Sequence, residues 1–285
     1  MEDNGNNPDV KIVTPAAKRV RASGPILILA FLFVVGAFLS WYFSWFGREL
    51  TDADITQYLV DEKKPRHVQH ALLQIQHRIE RGDGTAKQWY PQVIAFKDHR
   101  ETEFRLTAAW LMGYDNKSPE FHEALLQLVK DPEPIVRRNA ALALIRFNDS
   151  SGRGELAATL LPYELKSTVA GLVASTLKQG SPTARGTLLV RVTQSDGKTL
   201  EIRSPLPGKI ESVQAPGGSQ VVAGATLLTI NSDEQSIWEA LRGLSLVGGK
   251  DDLGTVEKIA GDTNQPERIR KQAALTANAI KSRST

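Results

Sequence analysis

The chain has 285 residues, of which 41% are hydrophobic and 24% charged, a balance typical of a folded protein with one large or two smaller domains. It contains no cysteine, which excludes disulfide bonds, cysteine-ligated zinc and cysteine nucleophiles. The formal net charge is only +3, and no block of lysine and arginine resembles a nucleic-acid-binding segment, so we expect no nucleic-acid partner.

The N-terminal 46 residues differ in composition from the rest of the chain. Residues 1–24 are polar, rich in asparagine and proline, and without periodicity, which predicts a disordered tail. Residues 25–46 carry no charge, and about 20 apolar residues suffice to cross a bilayer, so this segment predicts a single transmembrane helix. The alternative is a cleaved signal peptide, whose apolar core typically has about 7–15 residues.

Basic residues near the apolar segment predict its orientation. Lys11, Lys18, Arg19 and Arg21 precede the segment, whereas only Arg48 follows it closely. Because cytoplasmic flanks carry the excess of lysine and arginine, the tail is expected in the cytoplasm. The sequence therefore predicts a single-pass protein of the inner membrane whose C-terminal region lies in the periplasm.

Residues 51–162 have a pattern that predicts helical repeats. Apolar residues recur three and four positions apart, and Gly, Pro and Asn-Asp interrupt them. An Arg-x-x-Ala-Ala motif begins at Arg105, recurs 32 residues later at Arg137, and occurs again at Arg270. Paired alanines permit close approach of neighbouring helices, and we expect the arginines to stay solvated on the flank. The pattern resembles HEAT-type α-solenoid repeats.

A second internal repeat occupies residues 163–232 and consists of short apolar strands and turns. Each half combines a strand, two glycine turns and a final Leu-Leu strand. The glycines that define the two halves are Gly171, Gly180 and Gly186 in the first, and Gly208, Gly218 and Gly224 in the second. Two equivalent halves predict a small all-β barrel or sandwich. Asp196-Gly197, between the halves, predicts a type I′ hairpin turn.

This stretch resembles the biotinyl/lipoyl domain, or barrel-sandwich hybrid. The resemblance rests on Pro207-Gly208-x-Ile210, on the Gly218-Ser219 turn and on Gly224-x-x-Leu227-Leu228. In that family the hairpin between the halves carries a modified lysine, which implies a cofactor on Lys198, although Lys198 stands one place after the family's position. A solvated lysine beside a turn is the other interpretation. In membrane-fusion (periplasmic adaptor) proteins a helical hairpin occupies the same junction, which implies a docking module without a cofactor.

The spacing of the arginine motifs places the β stretch within the helical array. Arg137 and Arg270 are 133 residues apart, which is not a multiple of 32, but removal of the 70 residues of 163–232 leaves 63, close to two repeats. We therefore expect the barrel to lie between a helix at 152–161 and one at 236–247, with Asp233 as the N-cap of the latter. Residues 233–285 then continue the array. The predicted helix pairs are 52–82, 84–114, 118–148, the split pair and 250–283.

No residues form a catalytic or metal-binding pattern, and we expect the chain not to be an enzyme. It has no nucleophile elbow, dinucleotide-binding fingerprint or P-loop. His67, His70 and His77 share one predicted helix, but a polar surface helix explains them without a metal ion. Three tryptophans lie on apolar helix faces and are predicted to pack in the core: Trp89, Trp110 and Trp238.

Together these features predict an α+β multidomain protein, with one transmembrane helix and a HEAT-like solenoid that carries an inserted lipoyl-like barrel. The predicted function is that of a non-enzymatic, membrane-anchored adaptor or scaffold without a cofactor. Its expected partners are proteins, with transporter components of an export complex or the subunits of another membrane complex as candidates, and a homo-oligomer is a further option. The alternative is a lipoyl- or biotin-type carrier modified at Lys198.

Overall fold

The computed structural model describes residues 24–45, 49–61 and 63–284. The chain divides into two compact units, residues 1–49 and residues 50–285. Apart from Gly24, the predicted tail at residues 1–24 lies outside the described residues.

The described part of the first unit is a helix, α1 (Gly24–Trp45), which does not support the transmembrane prediction. Among the described residues, no helix has both the length and the apolar character that a membrane crossing requires. The predicted transmembrane helix at 25–46 and the inner-membrane, periplasmic location are therefore wrong.

The second unit contains helices that follow one another in contacting pairs. The pairs are α2 (Asp52–Leu59) with α3 (Pro65–Glu80), α4 (Tyr90–Ala95) with α5 (Thr102–Met112), α6 (Pro119–Leu128) with α7 (Pro134–Arg146), α8 (Arg153–Thr159) with α9 (Glu234–Val247), and α10 (Leu253–Gly261) with α11 (Glu267–Ser284). Short 3₁₀ turns at Gly84–Trp89, Phe96–Asp98 and Lys250–Asp252 flank α4 and precede α10. The second helices contact one another in the order α3, α5, α7, α9, α11, so the pairs stack as a repeat array.

Local chemistry specifies where several of these helices begin. The Thr51 hydroxyl accepts a hydrogen bond from the Asp54 amide at 3.1 Å, and the Asp54 carboxylate accepts one from the Thr51 amide, so a capping box starts α2. Pro134 is the first residue of α7, where its missing N–H costs nothing. The Asp233 carboxylate accepts a hydrogen bond from the Ser236 amide at 3.0 Å, which confirms the predicted N-cap of α9.

Small residues set the spacing between successive repeats. The alanines of the first two Arg-x-x-Ala-Ala motifs are fully buried; they are Ala108, Ala109, Ala140 and Ala141. Ala141 lies against the backbone of the following repeat, because a Cβ atom added to Gly152 would lie only 2.6 Å from the Ala141 Cα. A larger residue at either position would force the two repeats apart.

The arginines of these two motifs are not solvated as predicted, because each is paired with an acid of the following repeat. Arg105 donates from Nε and Nη2 to the carboxylate of Asp131 at 2.7 and 3.0 Å, and its side chain is 11% exposed. Arg137 donates from Nε to Glu155 at 2.8 Å. The hydrogen bond to Asp131 raises the pKa of Arg105. A ladder of arginine–carboxylate bonds therefore joins consecutive repeats.

Between α8 and α9 the chain forms two four-stranded sheets, with the orders β1-β8-β6-β3 and β5-β4-β2-β7. The strands are β1 (Tyr163–Lys166), β2 (Gly171–Thr176), β3 (Pro182–Thr183), β4 (Leu188–Thr193), β5 (Thr199–Arg203), β6 (Gly208–Val213), β7 (Gln220–Val221) and β8 (Thr226–Ser232). All pairings are antiparallel. A core of Leu, Val and Ile side chains, including Val173, Val192, Ile210 and Leu228, fills the space between the sheets.

The glycines of the two sequence halves occupy equivalent places in the two sheets. A Cβ atom on Gly171, the first residue of β2, would collide with the carbonyl oxygen of Thr193 in β4; one on Gly208, the first residue of β6, would collide with that of Asn231 in β8. The remaining turn glycines have positive φ angles and are Gly180, Gly186, Gly197, Gly218 and Gly224. The glycine spacing thus corresponds to a repeated backbone geometry.

The β segment is anchored to the helices at its two ends and through a side contact. The Ser232 hydroxyl, at the end of β8, donates to the carbonyl of Thr159 at the end of α8 at 2.8 Å. Arg185 forms an ion pair with Glu103 of α5. The helices on either side of the segment, α8 and α9, contact each other directly. Division of residues 50–285 into separate domains stays a prediction.

Candidate protein-binding groove

The second helices α5, α7 and α9 form the walls of an open groove of about 630 Å³. Its lining residues are Trp110, Gly113, Asn139, Leu142, Ala143, Ile145, Arg146, Glu239, Arg242, Gly243, Ser245 and Leu246. We call this surface the α5–α7–α9 groove. An extended groove across stacked helices is the kind of surface with which repeat proteins bind other proteins.

Two helices contribute the same pattern to the groove. The residues of α7 are Asn139, Leu142, Ala143, Ile145 and Arg146, and those of α9 are Glu239, Arg242, Gly243, Ser245 and Leu246. Both sets have the spacing i, i+3, i+4, i+6, i+7, so each helix lines the groove over two turns. Each face begins with a polar residue and has a small residue in its middle, which keeps the centre of the groove open.

Two glycines allow the helices to approach closely here. A Cβ atom on Gly113, just after α5, would lie 3.0 Å from the Cβ of Ala143 in α7. A Cβ atom on Gly243 in α9 would lie 2.7 Å from a methyl carbon of Leu156 in α8. The groove is therefore shaped by helix packing that these small residues permit, and any side chain larger than hydrogen would disturb it.

The apolar part of the groove includes large side chains that are exposed to solvent. Trp110 is 39% exposed and makes an edge-to-face contact with Tyr114 at 4.8 Å between ring centroids. Leu246 is 63% exposed. The prediction of a core position was thus wrong for Trp110, whereas Trp89 is 1% exposed, which confirms its predicted place in the core. Trp110 faces the groove because Ala109, its neighbour, takes the buried side of α5.

Two arginines give the groove its charge. The guanidinium of Arg146 lies over the Tyr114 ring at 4.5 Å, and that of Arg242 lies over the Trp238 ring at 4.7 Å. Arg146 also donates to the carbonyl of Gly113 at 3.3 Å. Among the described residues, neither arginine forms a salt bridge with a carboxylate. The aromatic rings therefore position these two cations without neutralising them.

One carboxylate also lines the groove. Glu239 accepts a hydrogen bond from the side-chain amide of Gln235 at 2.7 Å, one turn earlier on α9. The groove therefore contains two cations and one anion around an apolar floor. This composition suits a partner segment that brings apolar side chains together with carboxylates.

The residues predicted from the sequence lie elsewhere, in the β segment. Asp196 and Gly197 stand in the hairpin between β4 and β5, but the turn is not type I′, because that type requires positive φ at both central residues and only Gly197 has it. The Gly197 amide donates to the carbonyl of Gln194 at 3.0 Å, so the turn centres on Ser195 and Asp196. Gly197 follows in the left-handed conformation, which is the three-residue hairpin loop with a glycine bulge.

Lys198 is placed directly after this turn and does not line the groove. Its side chain is 80% exposed, and its Nζ lies 2.9 Å from a carboxylate oxygen of Asp196. The hydrogen bond from Lys198 lowers the pKa of Asp196. Modification of Lys198 stays a prediction.

The predicted histidine helix is α3, and the rings of His67 and His70 both lie near that of Tyr58. His67 stacks on Tyr58 with 4.1 Å between ring centroids, and its Nδ1 lies 3.0 Å from a carboxylate oxygen of Asp61. Burial lowers the pKa of His70. Among the described residues, no three His, Asp or Glu side chains are grouped so that they could hold a metal ion.

Comparison with known proteins supports a helical-repeat region in general terms. The family model for HEAT repeats matches residues 91–193, from α4 through α8 and on into the first four strands. This match covers less than half of the chain. HEAT repeats generally mediate interactions between proteins.

One solved structure among the matches is that of a single-chain, multi-domain long-chain acyl-CoA carboxylase. It is 18% identical, with a TM-score of 0.24, over 39% of this chain and 10% of the carboxylase chain. This chain therefore spans about a tenth of the length of that protein, and a TM-score this low does not establish a shared fold. No curated protein matches the chain. The resemblance of residues 163–232 to a biotinyl/lipoyl domain stays a prediction, while that of the helices to HEAT repeats has support.

Proposed function

We propose that the chain is a non-enzymatic scaffold that binds a protein partner in the α5–α7–α9 groove. The observation that carries the proposal is the exposed apolar floor of Trp110 and Leu246 beside Arg146 and Arg242, two cations without carboxylate partners among the described residues. A transporter component, which the adaptor resemblance implies, would be one such partner.

The exposed side chains of the groove can contribute free energy to the binding of a partner. Complete burial of a large apolar side chain contributes about 1.5–3 kcal/mol, and Trp110 and Leu246 still expose much of their surface. Tryptophan and arginine are the residue types that most often dominate protein interfaces. Because Arg146 and Arg242 already rest on aromatic rings, they lose little side-chain freedom when a partner binds.

In this proposal the β segment is a second docking module, related to the lipoyl-type barrel. The two-sheet arrangement and the repeated glycine geometry support that relation. The bond between Ser232 and Thr159 and the ion pair between Arg185 and Glu103 hold the module against the helices. A partner that contacts the groove could then contact the β segment in a defined orientation.

The proposal is tested by purification of the tagged full-length protein from its native cells. Leu246→Glu places a charge on the groove floor, and we expect it to remove the specific partner from the purified material. Val60→Glu is the matched control, because Val60 is 71% exposed but lies at the end of α2, outside both the groove and the β segment. If the same proteins accompany the wild type and Leu246→Glu, the groove is not the binding site.

The alternative function is a carrier of lipoyl or biotin on Lys198. One observation favours it: the β4–β5 hairpin presents Lys198 to solvent, with 80% of its side chain exposed. Measurement of the intact mass after expression in native cells decides between the two functions. A mass increase that Lys198→Arg removes would establish the carrier, and an unmodified mass would contradict it.

A further inference from the structure

The first two arginine motifs, which begin at Arg105 and Arg137, show which residues of one repeat contact the next repeat. In each motif the arginine Nε donates to a carboxylate of the following repeat, Asp131 for Arg105 and Glu155 for Arg137. The residue four positions after the arginine is a fully buried alanine, Ala109 or Ala141. The surface that contacts the following repeat therefore consists of a partly buried arginine N–H and a small residue one helical turn later.

The third motif, in α11, has the same arginine and alanines, but no further repeat packs against it among the described residues. The Nε of Arg270 is buried and has no hydrogen-bond acceptor there. Ala273 is fully buried, as its counterparts are, but Ala274 is exposed. A buried N–H without an acceptor is costly, and such groups are rare in folded proteins. Arg270 thus lacks the carboxylate that Arg105 and Arg137 obtain from the following repeat.

The surroundings of Arg270 complete a face on α11 that no described residue covers. Lys271, Ala274, Leu275 and Asn278 have the spacing i, i+3, i+4, i+7 and are all exposed, Leu275 to 63%. The buried residues of α11, on its other side, are Ile269, Ala273, Thr276, Ala277 and Ile280. We call the exposed stripe together with Arg270 the α11 face. It is separate from the α5–α7–α9 groove.

We propose that the α11 face receives a helical repeat of a partner protein that supplies a carboxylate to Arg270. Charge complementarity identifies the partner as acidic, because the N–H group without an acceptor belongs to the positively charged guanidinium of Arg270. Continuity with the inner repeats identifies it as helical, because a helical repeat follows each inner motif and Gly152, the N-cap residue of α8, lies against Ala141. This inference goes beyond the proposed function and does not depend on the groove.

The first test supplies an occupant of known structure. Because the chain has no cysteine, Leu275→Cys creates a single thiol whose alkylation rate reports coverage of the α11 face. A second copy of residues 113–148, which contain α6, α7 and the acceptor Asp131, is fused after residue 285 of the full chain. We expect at least a tenfold slower alkylation and a gain in helical circular dichroism. Val222→Cys, on the exposed β segment, should react at an unchanged rate.

Charge substitutions then test the carboxylate. Arg270→Gln, or a change of the acceptor aspartate to asparagine in the fused copy alone, should restore most of the fast alkylation. The proposal would be overturned if the fused copy gave no gain in helical circular dichroism or did not slow the alkylation of Leu275→Cys. It would also be overturned if the alkylation stayed slow with both charge substitutions.

The second test asks whether a partner covers the face in cells. The alkylation rate of Leu275→Cys is compared between intact native cells and the purified protein. If Leu275→Cys reacts more slowly in cells than when purified, and Arg270→Gln removes this difference, the result supports a partner protein. Equal alkylation rates contradict the proposal. Slow alkylation of the purified protein together with a dimeric mass also contradicts it, because that result would assign the α11 face to a second copy of the chain.

Discussion

Replacement of Asp131 by alanine tests the arginine ladder that joins the repeats. The Asp131 side chain is 5% exposed and accepts two hydrogen bonds from Arg105, which is itself 11% exposed. The substitution leaves a mostly buried guanidinium without its counter-ion, and loss of one partner of a buried pair costs about 3–5 kcal/mol. Arg105 keeps bonds to the carbonyls of His99 and Arg100 at 2.9 and 3.1 Å, so we expect a value near 3 kcal/mol.

The assay is urea unfolding of the full chain, with Glu201→Ala as the matched control. Glu201 also accepts two hydrogen bonds from one arginine, Arg191, at 3.1 and 3.2 Å, and a third from Arg203 at 2.5 Å, but these side chains are on the surface of the β segment. Solvent screens such pairs, so the control should change the free energy of unfolding much less than Asp131→Ala. Equal losses for the two variants would refute the reasoning that burial gives the ladder its strength.

Two further predictions concern backbone packing and acid sensitivity. Gly208→Ala should destabilise the chain by about 1–3 kcal/mol in thermal unfolding because its Cβ collides with Asn231, whereas Gly254→Ala in α10, with open space around it, should not destabilise. Hydrogen bonds from Ser151 lower the pKa of Asp149 from 3.8. Ionised Asp149 therefore stabilises the folded state above pH 3.8, and this contribution is lost as the pH falls through the lowered pKa of the folded state. Asp149→Asn should therefore reduce the loss of stability between about pH 5 and about pH 3; an unchanged loss would contradict this assignment.

The sequence predicted much of the helical region, because the signals involved are local. Apolar periodicity and Pro, Gly and Asp at helix boundaries act within one or two turns, and the Asp233 cap of α9 is formed as expected. The same holds for the glycine repeat, since Gly171 and Gly208 each mark a place where only hydrogen fits against the neighbouring strand. The assignment of this repeat to a lipoyl-type domain depends on more than local signals and stays a prediction.

The state of the arginines could not be predicted, because their partners are distant in the sequence. Arg105 pairs with Asp131, 26 positions later, and Arg137 with Glu155, 18 positions later. A variable interval of this kind gives no periodic signal, so solvated arginines were the expectation. The type I′ turn failed for a local reason: Asp196 keeps an ordinary negative φ, and the left-handed residue is Gly197 alone.

The groove was missed because Trp110 was assigned to the core. An apolar residue on a helix face is buried in most cases, and only the stacking of α5, α7 and α9 shows that this face remains open. One signal was present in the sequence: the identical spacing of residues 139–146 and 239–246 on two helices. The prediction for the apolar segment at 25–46 rested on composition alone, and no described helix supports the membrane crossing that it gave.

The central claim is that the α5–α7–α9 groove binds a protein partner, and the dissociation constant of the purified partner tests it most directly. Titration calorimetry compares the wild type with Trp110→Ala and with Val60→Ala as the control, since Val60 is exposed at the end of α2 and outside both proposed docking surfaces. Loss of a central tryptophan contact costs about 2 kcal/mol or more, so Trp110→Ala should weaken binding by about 30-fold. Val60→Ala should leave the dissociation constant unchanged. Equal dissociation constants for Trp110→Ala and the wild type would contradict the account.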